Sequence, residues 1–433
     1  MSAVSARVQK DLPPLPKGFT YRLDLSQAAT PRLLKKRPRH RWFWFPHSYS
    51  PELVEAILDS WNLPRESRLL DPFVGAGTTL LVAQERGISA DGVDLSPLAV
   101  RVTRVKVAHL NRDHLEDMLH AVVEHVLTAI KRSSIPPTSA EVPEKRLARA
   151  FTQVEYATLQ AIRKAIWSHA VGEERDFFLL ALLATARAFS RAVADGGWFR
   201  WVDRPEASPD NMILFFQTQA QGMLSDLDSR PNPLSHAWNV YQGDARCLGA
   251  LPGPYNVIIT SPPYPNRHDY SRVFHIELLL LGEDETSIKR LRYASIRSHV
   301  EAKAPNAHTV NEYHAPQRLQ KCLDQLPAKT DKRVVRMLQG YFEDMYYVLK
   351  SARAVLAPGA RLAFVVGNVR HAGVLIPVDE ILADVGEQAG YRWTETWVIR
   401  LRGNSAQQMG RFGRVPSRES IVFFENPYTA DAG

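Results

Sequence analysis

The chain predicts an α/β fold, a doubly wound and mainly parallel sheet that carries a large helical insertion. Short β-branched runs alternate with amphipathic helical stretches along most of the 433 residues, the pattern of strands joined by crossover helices. A Gly-rich turn joins the first strong strand to a helix, and an acid ends the strand after it. One stretch, residues 111–236, replaces the alternation with consecutive helical patterns.

Composition bounds the class. The hydrophobic and charged fractions, 45% and 23%, are those of a soluble globular protein. Cys247 and Cys322 lie far apart, which excludes a disulfide framework and a cysteine zinc site and fits a reducing cytoplasm. The first residues lack the apolar core of a signal peptide, and no run approaches the roughly 18 apolar residues of a membrane span. Net charge is +8 but segregated. Residues 1–49 carry ten Lys/Arg against two Asp/Glu, residues 289–336 eleven against four, and residues 392–418 six against one. Such a distribution suits a polyanion-binding surface if the three stretches converge, and solvated loops if they do not.

Residues 1–38 read as a basic, Pro-rich N-terminal arm. The aromatic run around Trp42, Phe43, Trp44 and Phe45 offers either a lining for a ligand ring or plain core. Ser50-Pro51 opens a helix that reaches about Trp61, Ser as N-cap and Pro as first helical residue. Residues 39–110 form the first half of the sheet domain. Arg68–Asp71 reads as a strand, Pro72–Gly77 as a Gly-rich turn and Thr78 onward as a helix. That geometry lets backbone N–H groups approach a bound anionic group. Asp94, 17 residues beyond Gly77 at the tip of the next strand, is placed to grip ribose hydroxyls.

The insertion, 111–236, divides into candidate helices at 112–132, 147–170, 174–195 and 208–228. Residues 101–236 hold seventeen basic and sixteen acidic residues, so this region is expected to be a lid, scaffold or dimer surface. Arg187, Ser190 and Arg191 are minor candidates to face nucleic acid. Residues 237–282 form the second half of the sheet domain. Asn239–Ala245 is a strand ending in Gly-Asp, and Tyr255–Ile259 is a buried strand stopped by Thr260-Ser261-Pro262-Pro263-Tyr264. Two prolines cannot continue a ladder. The stop brings together a hydroxyl, a carbonyl free of ladder duty and an aromatic ring. That group suits a planar base with an exocyclic amine. Asp269 and Tyr270 either frame that base or cap the following helix. Residues 283–336 are a basic segment, with Lys289, Arg290, Arg292 and Arg297 as candidate phosphate contacts. Its histidines His299, His308 and His314 lack metal-ligand spacing and are expected at the surface. Residues 337–425 complete the sheet domain, with a closing hairpin of 392–401 and 419–425. Its loop brings Arg402, Arg411 and Arg414 toward a groove. Residues 426–433 are a tail.

Asp-Pro-Phe-x-Gly-x-Gly-Thr-Thr, the acid ending the next strand and Thr-Ser-Pro-Pro-Tyr together resemble the amino-methylating DNA methyltransferases, over roughly residues 40–110 and 237–425. The Ser-Pro-Pro-Tyr form is most similar to the N4-cytosine branch, with adenine N6 as the alternative. The resemblance implies a Rossmann-like methyltransferase sheet and S-adenosylmethionine (AdoMet) as cofactor. It implies Phe73, Gly75, Gly77 and Thr78 around the cofactor's methionine end, Asp71 near its amine, and Asp244 at the adenine amine. His47 and Ser48 resemble the upstream part of that pocket. Ser261, Pro262, Pro263 and Tyr264 are the catalytic group, acting on a base flipped out of double-stranded DNA. No metal and no membrane are implied; a companion restriction endonuclease or a homodimer is left open. Two other readings stand beside it: an RNA amino-methyltransferase, and a module that binds AdoMet or DNA without catalysis.

Overall fold

The computed structural model describes residues 12–64, 66–132, 144–195, 198–227, 237–304, 312–402 and 417–428. Its strands are β1 (Phe19–Tyr21), β2 (Arg68–Asp71), β3 (Ser89–Asp94), β4 (Ala192–Asp195), β5 (Trp198–Trp201), β6 (Trp238–Gln242), β7 (Tyr255–Thr260), β8 (Leu356–Gly367), β9 (Val369–His371), β10 (Val374–Ile376), β11 (Arg392–Arg402) and β12 (Ser417–Glu425). Eight of them form one sheet in the order β1-β11-β12-β8-β7-β2-β3-β6. Only β12 runs against its neighbours. Strand order reverses between β2 and β7, which opens the crevice where ligands of doubly wound sheets lie.

Side-chain alternation sorts the strands between two helical layers. Leu69, Val257, Ile259, Ala363 and Val365 pack with the helices Pro51–Trp61 and Thr78–Glu85. Leu70, Ile258, Leu362, Phe364 and Val366 pack with Lys332–Arg353 and Val378–Gln388 on the opposite face.

The insertion builds a third core. Its helices are Arg112–Arg132, Lys145–Ala150, Gln153–His169, Gly172–Phe189 and Pro209–Ser225. They bury Trp42, Phe43 and Phe45 together with the inward face of His275–Leu281. The expected helix 147–170 is two: the chain breaks at Phe151, and Thr152 starts the second with a reciprocal bond pair to Glu155. The expected helix 174–195 stops at Phe189, and β4 and β5 follow as an antiparallel hairpin. The N-terminal arm also contributes to the sheet, since β1 adds a parallel strand to β11. The closing-hairpin loop, with Arg411 and Arg414, and His308 lie outside the described residues. Among the described residues no helix is long and apolar enough to cross a membrane.

Candidate active site

The Gly-rich turn leaves β2 at Asp71 and enters the helix at Thr78. Gly75 has φ +47, and a Cβ there would meet nothing nearer than the Phe73 carbonyl at 3.8 Å, so its side toward the crevice is open. Gly77, at φ +78, has another role: a Cβ there would press on Thr103 at 2.9 Å. Asp94 closes the turn from the tip of β3, accepting from Gly75 N–H at 3.0 Å and Ser96 N–H at 2.8 Å. Burial nevertheless pushes its carboxyl up to about 6, against the pull of those N–H groups.

Asp71 sits behind the turn, 1% exposed. It accepts from the Thr260 hydroxyl at 2.6 Å and from Phe73 N–H at 3.1 Å. Burial pushes its carboxyl up to about 6 as well. Lys106, a residue no motif marks, donates from beneath to the Ala76 carbonyl at 2.9 Å and to the His40 carbonyl at 3.1 Å.

The second element is the Pro-Pro stop. β7 ends its pairing at Thr260. The Ser261 hydroxyl donates to the Val365 carbonyl at 3.1 Å, which spends its hydrogen and leaves its lone pairs as acceptors. Tyr264 donates to Glu419 at 3.1 Å, and its ring lies so close to Gly367 that a Cβ there would come within 2.8 Å of it. The Arg402 guanidinium stands 5.7 Å from the ring centre. Burial first, then the charge of Glu419, hold the phenol well above its ordinary pKa, so it stays a donor.

One cavity, enclosing about 1260 Å³ of atom-free space partly open to solvent, gathers Phe73, Gly75, Thr78, Asp94, Asp244 and Ser261. Pro263 joins them, and His47 and Ser48 form the upstream wall. Asp71, Gly77, Pro262 and Tyr264 lie outside the lining. Asp244 is pinned by Arg246 at 2.7 Å, and Arg246 in turn reaches Asp344 at 3.1 Å. Phe45 and Phe274, 4.7 Å apart, form an apolar wall. Tyr270 also lines the cavity, and Asp269 does both things expected of it: it faces the cavity and caps the following helix through Ser271 N–H at 2.9 Å.

The basic candidates separate into two kinds. Lys289 and Arg290 are exposed. Arg292 and Arg297 are not at the surface as expected, because carboxylates of the chain itself hold them. Arg292 donates to Asp269 at 2.7 Å and lines the cavity. Arg297 donates to Asp344 at 2.7 Å and Glu343 at 2.9 Å. Arg402 is half-buried, 3.8 Å from Glu419. Arg187 and Arg191 pair internally with Glu277 and Glu155 at 2.9 and 2.6 Å, and Ser190 is buried at the helix end. His299, expected at the surface, is 4% exposed and lines the cavity, bonded to Ser295 at 2.9 Å. No spacing in the sequence announces these last placements. Among the described residues no group of three or more His, Cys, Asp or Glu could hold a metal.

The strand order, the acid-tipped β3, the Gly-rich turn and the Ser-Pro-Pro-Tyr strand end define an AdoMet-dependent methyltransferase. No family model matches the chain. Type II methyltransferase M.AvaI from Nostoc sp. is 30% identical over 431 residues, spanning 91% of this chain and 87% of that protein. M.BsoBI from Geobacillus stearothermophilus is 27% identical over 448 residues, with 91% and 86% covered. M.MvaI from Kocuria varians is 22% identical over 378 residues and 81% of each chain. The chain belongs to this Type II family of amino-methylating DNA methyltransferases, and its cofactor is S-adenosylmethionine.

Proposed function

We propose that this chain methylates the N4 amine of cytosine in double-stranded DNA, on a base turned out of the stack, and that the cavity described above is its cofactor site. The cavity fits the cofactor in kind. The open side of Gly75 admits a group that a Cβ would exclude, and Asp94 is a half-buried carboxylate whose remaining lone pairs suit ribose hydroxyls. Asp244 at the far wall is an acceptor for an exocyclic amine, and Phe45 with Phe274 supplies apolar surface. When bound, S-adenosylmethionine supplies a methyl group already made electrophilic by its sulfonium.

The chain's own part is positioning. An amine paired in the duplex is out of reach, so the base must leave the stack. Ser261 and the Pro262 carbonyl would accept the two amine hydrogens, which would orient the nitrogen lone pair for attack on the methyl group that the cofactor supplies. Tyr264, fixed at its hydroxyl by Glu419, gives the base a stacking face. No proton need be taken before attack, so orientation and electrostatics carry the rate. The basic surface around Lys289 and Arg290 takes backbone phosphates.

The Ser261–Val365 bond carries this reading. It turns a side chain that could donate or accept into an acceptor, which is what an amine requires. The test is nucleoside analysis of duplex DNA treated with the purified protein and labelled AdoMet. The expected product is N4-methylcytosine; N6-methyladenine in its place overturns the base assignment.

A further inference from the structure

Three carboxylates line the cavity: Asp94, Asp244 and Asp269. Each already has donors of the protein: backbone N–H groups for Asp94, Arg246 for Asp244, and Arg292 with Arg272 for Asp269. An anionic group entering this space meets like charge on several sides, which is costly unless a cation faces it. His299 does not supply that cation, because burial lowers its pKa. Among the described residues Arg292 is the one arginine or lysine in the lining.

Its geometry suits the task. Arg292 spends Nε on Asp269 at 2.7 Å and on the Ser271 hydroxyl at 3.1 Å, with the Glu301 carboxylate 3.5 Å from the same nitrogen. Its two terminal nitrogens donate to no described group of the chain. Asp269 is itself held at the start of Tyr270–Val273, accepting from Ser271 N–H at 2.9 Å. The guanidinium is therefore anchored by one edge, 15% exposed, with a fork of donors remaining for a group that has two oxygens.

We propose that Arg292 is the anion-binding residue of the cavity, taking a carboxylate or phosphate oxygens through its terminal nitrogens. The inference rests on the reading of the cavity as the cofactor site. Two sources present this chemistry there: the carboxylate of the cofactor's methionine end, and the phosphodiester beside an extruded base. In both cases Arg292 serves a ligand rather than the outer DNA surface where its segment's charge would place it.

Arg292→Gln and Arg292→Lys in the full chain test this by calorimetry with two ligands. One is AdoMet; the other is methylthioadenosine, which keeps the adenosine and sulfur but lacks the amino-acid part. Binding to a DNA duplex is followed against salt in parallel. If the cofactor's carboxylate is the anion, Arg292→Gln weakens AdoMet by at least about tenfold and leaves methylthioadenosine within about twofold. If the phosphate is the anion, both nucleosides bind unchanged and the salt slope falls by about 0.9. Equal loss of both nucleosides would mean that Arg292 only supports the wall, and unchanged behaviour in all three assays would mean that it binds nothing; either overturns the proposal. Arg292→Lys keeps the charge and the reach to Asp269 without the fork, and it carries the test if the Gln variant fails to fold. Asp94→Ala is run beside them to test the underlying reading alone. Unchanged affinity for both nucleosides there removes the cofactor assignment of the cavity, whereas Arg292 is judged by the difference between ligands.

Discussion

The Thr260 hydroxyl donates to Asp71 at 2.6 Å, across the two strands whose carboxyl ends carry the Gly-rich turn and the Pro-Pro stop. One buried carboxylate thus sets the spacing between the proposed cofactor and base sites without facing either. Asp71→Ala is expected to cost about 2–3 kcal/mol of stability, through lost bonds from Thr260 and from Phe73 N–H. Denaturant unfolding checks this. A double cycle with Thr260→Val should show coupling of at least about 0.5 kcal/mol; strict additivity would mean the two residues act separately.

Asp94 gives a pH signature of opposite sign for folding and for binding. Burial raises Asp71 and Asp94 to about 6, above the roughly 3.9 of an unfolded aspartate. The folded, unliganded protein therefore holds extra protons between those values. The stability they contribute is full below about pH 4 and lost as pH rises through about 6. Cofactor binding moves the other way, because ribose hydroxyls donate best to ionised Asp94, so affinity should climb through about pH 6 and level off above it. Asp94→Asn should flatten the binding profile and weaken AdoMet by about 1.5–3 kcal/mol at pH 7. A climb of equal size in that variant would assign the titration to another group.

Ser261→Ala and Tyr264→Ala should keep AdoMet binding and lose methyl transfer by at least about tenfold, since each 1.36 kcal/mol of lost transition-state stabilisation is about a tenfold loss in rate. Tyr264→Phe keeps the ring but loses the hydroxyl that meets Glu419 and Ser261, and should fall between. Single-turnover transfer beside calorimetry separates these outcomes. Equal transfer by wild type and all three variants would place the chemistry elsewhere.

Surface and interior arginines should behave differently. Neutralising Lys289 and Arg290, both exposed, should lower the salt slope of DNA binding by about 0.9 for each lost contact. Asp344→Ala should leave that slope alone and destabilise the fold by about 1.5–3 kcal/mol, because Arg246 would keep only Asp244 and Arg297 only Glu343 as a carboxylate partner. An unchanged slope in the surface variants would move the DNA contact elsewhere, the basic N-terminal stretch being next.

These contrasts trace what could be read from the chain alone. Gly75, Asp94 and Ser261 were legible because a strand, a turn and a breaker within a few residues set their position. The insertion's helices were legible by period: the stretch expected at 208–228 is the helix Pro209–Ser225. The hairpin of β4 and β5 was missed because the helical pattern before it runs on past Phe189, although Trp198–Trp201 is a short aromatic run of strand type. Arg292 and Arg297 were misplaced because their partners lie 23 and 47 residues away. No local rule tells a paired guanidinium from a solvated one. The burial of His299 is equally a product of how distant segments meet.

The strand β1 has a practical consequence for handling the protein. Tyr21 and its two neighbours occupy the outer rim of β11, and an open rim of this kind offers a template for another chain. Removing the first two dozen residues would leave every proposed ligand contact in place yet uncap that rim. Such a truncation should bind AdoMet as before but clump with rising concentration, visible by light scattering, and fusions or trims at this end should be chosen to keep Phe19–Tyr21.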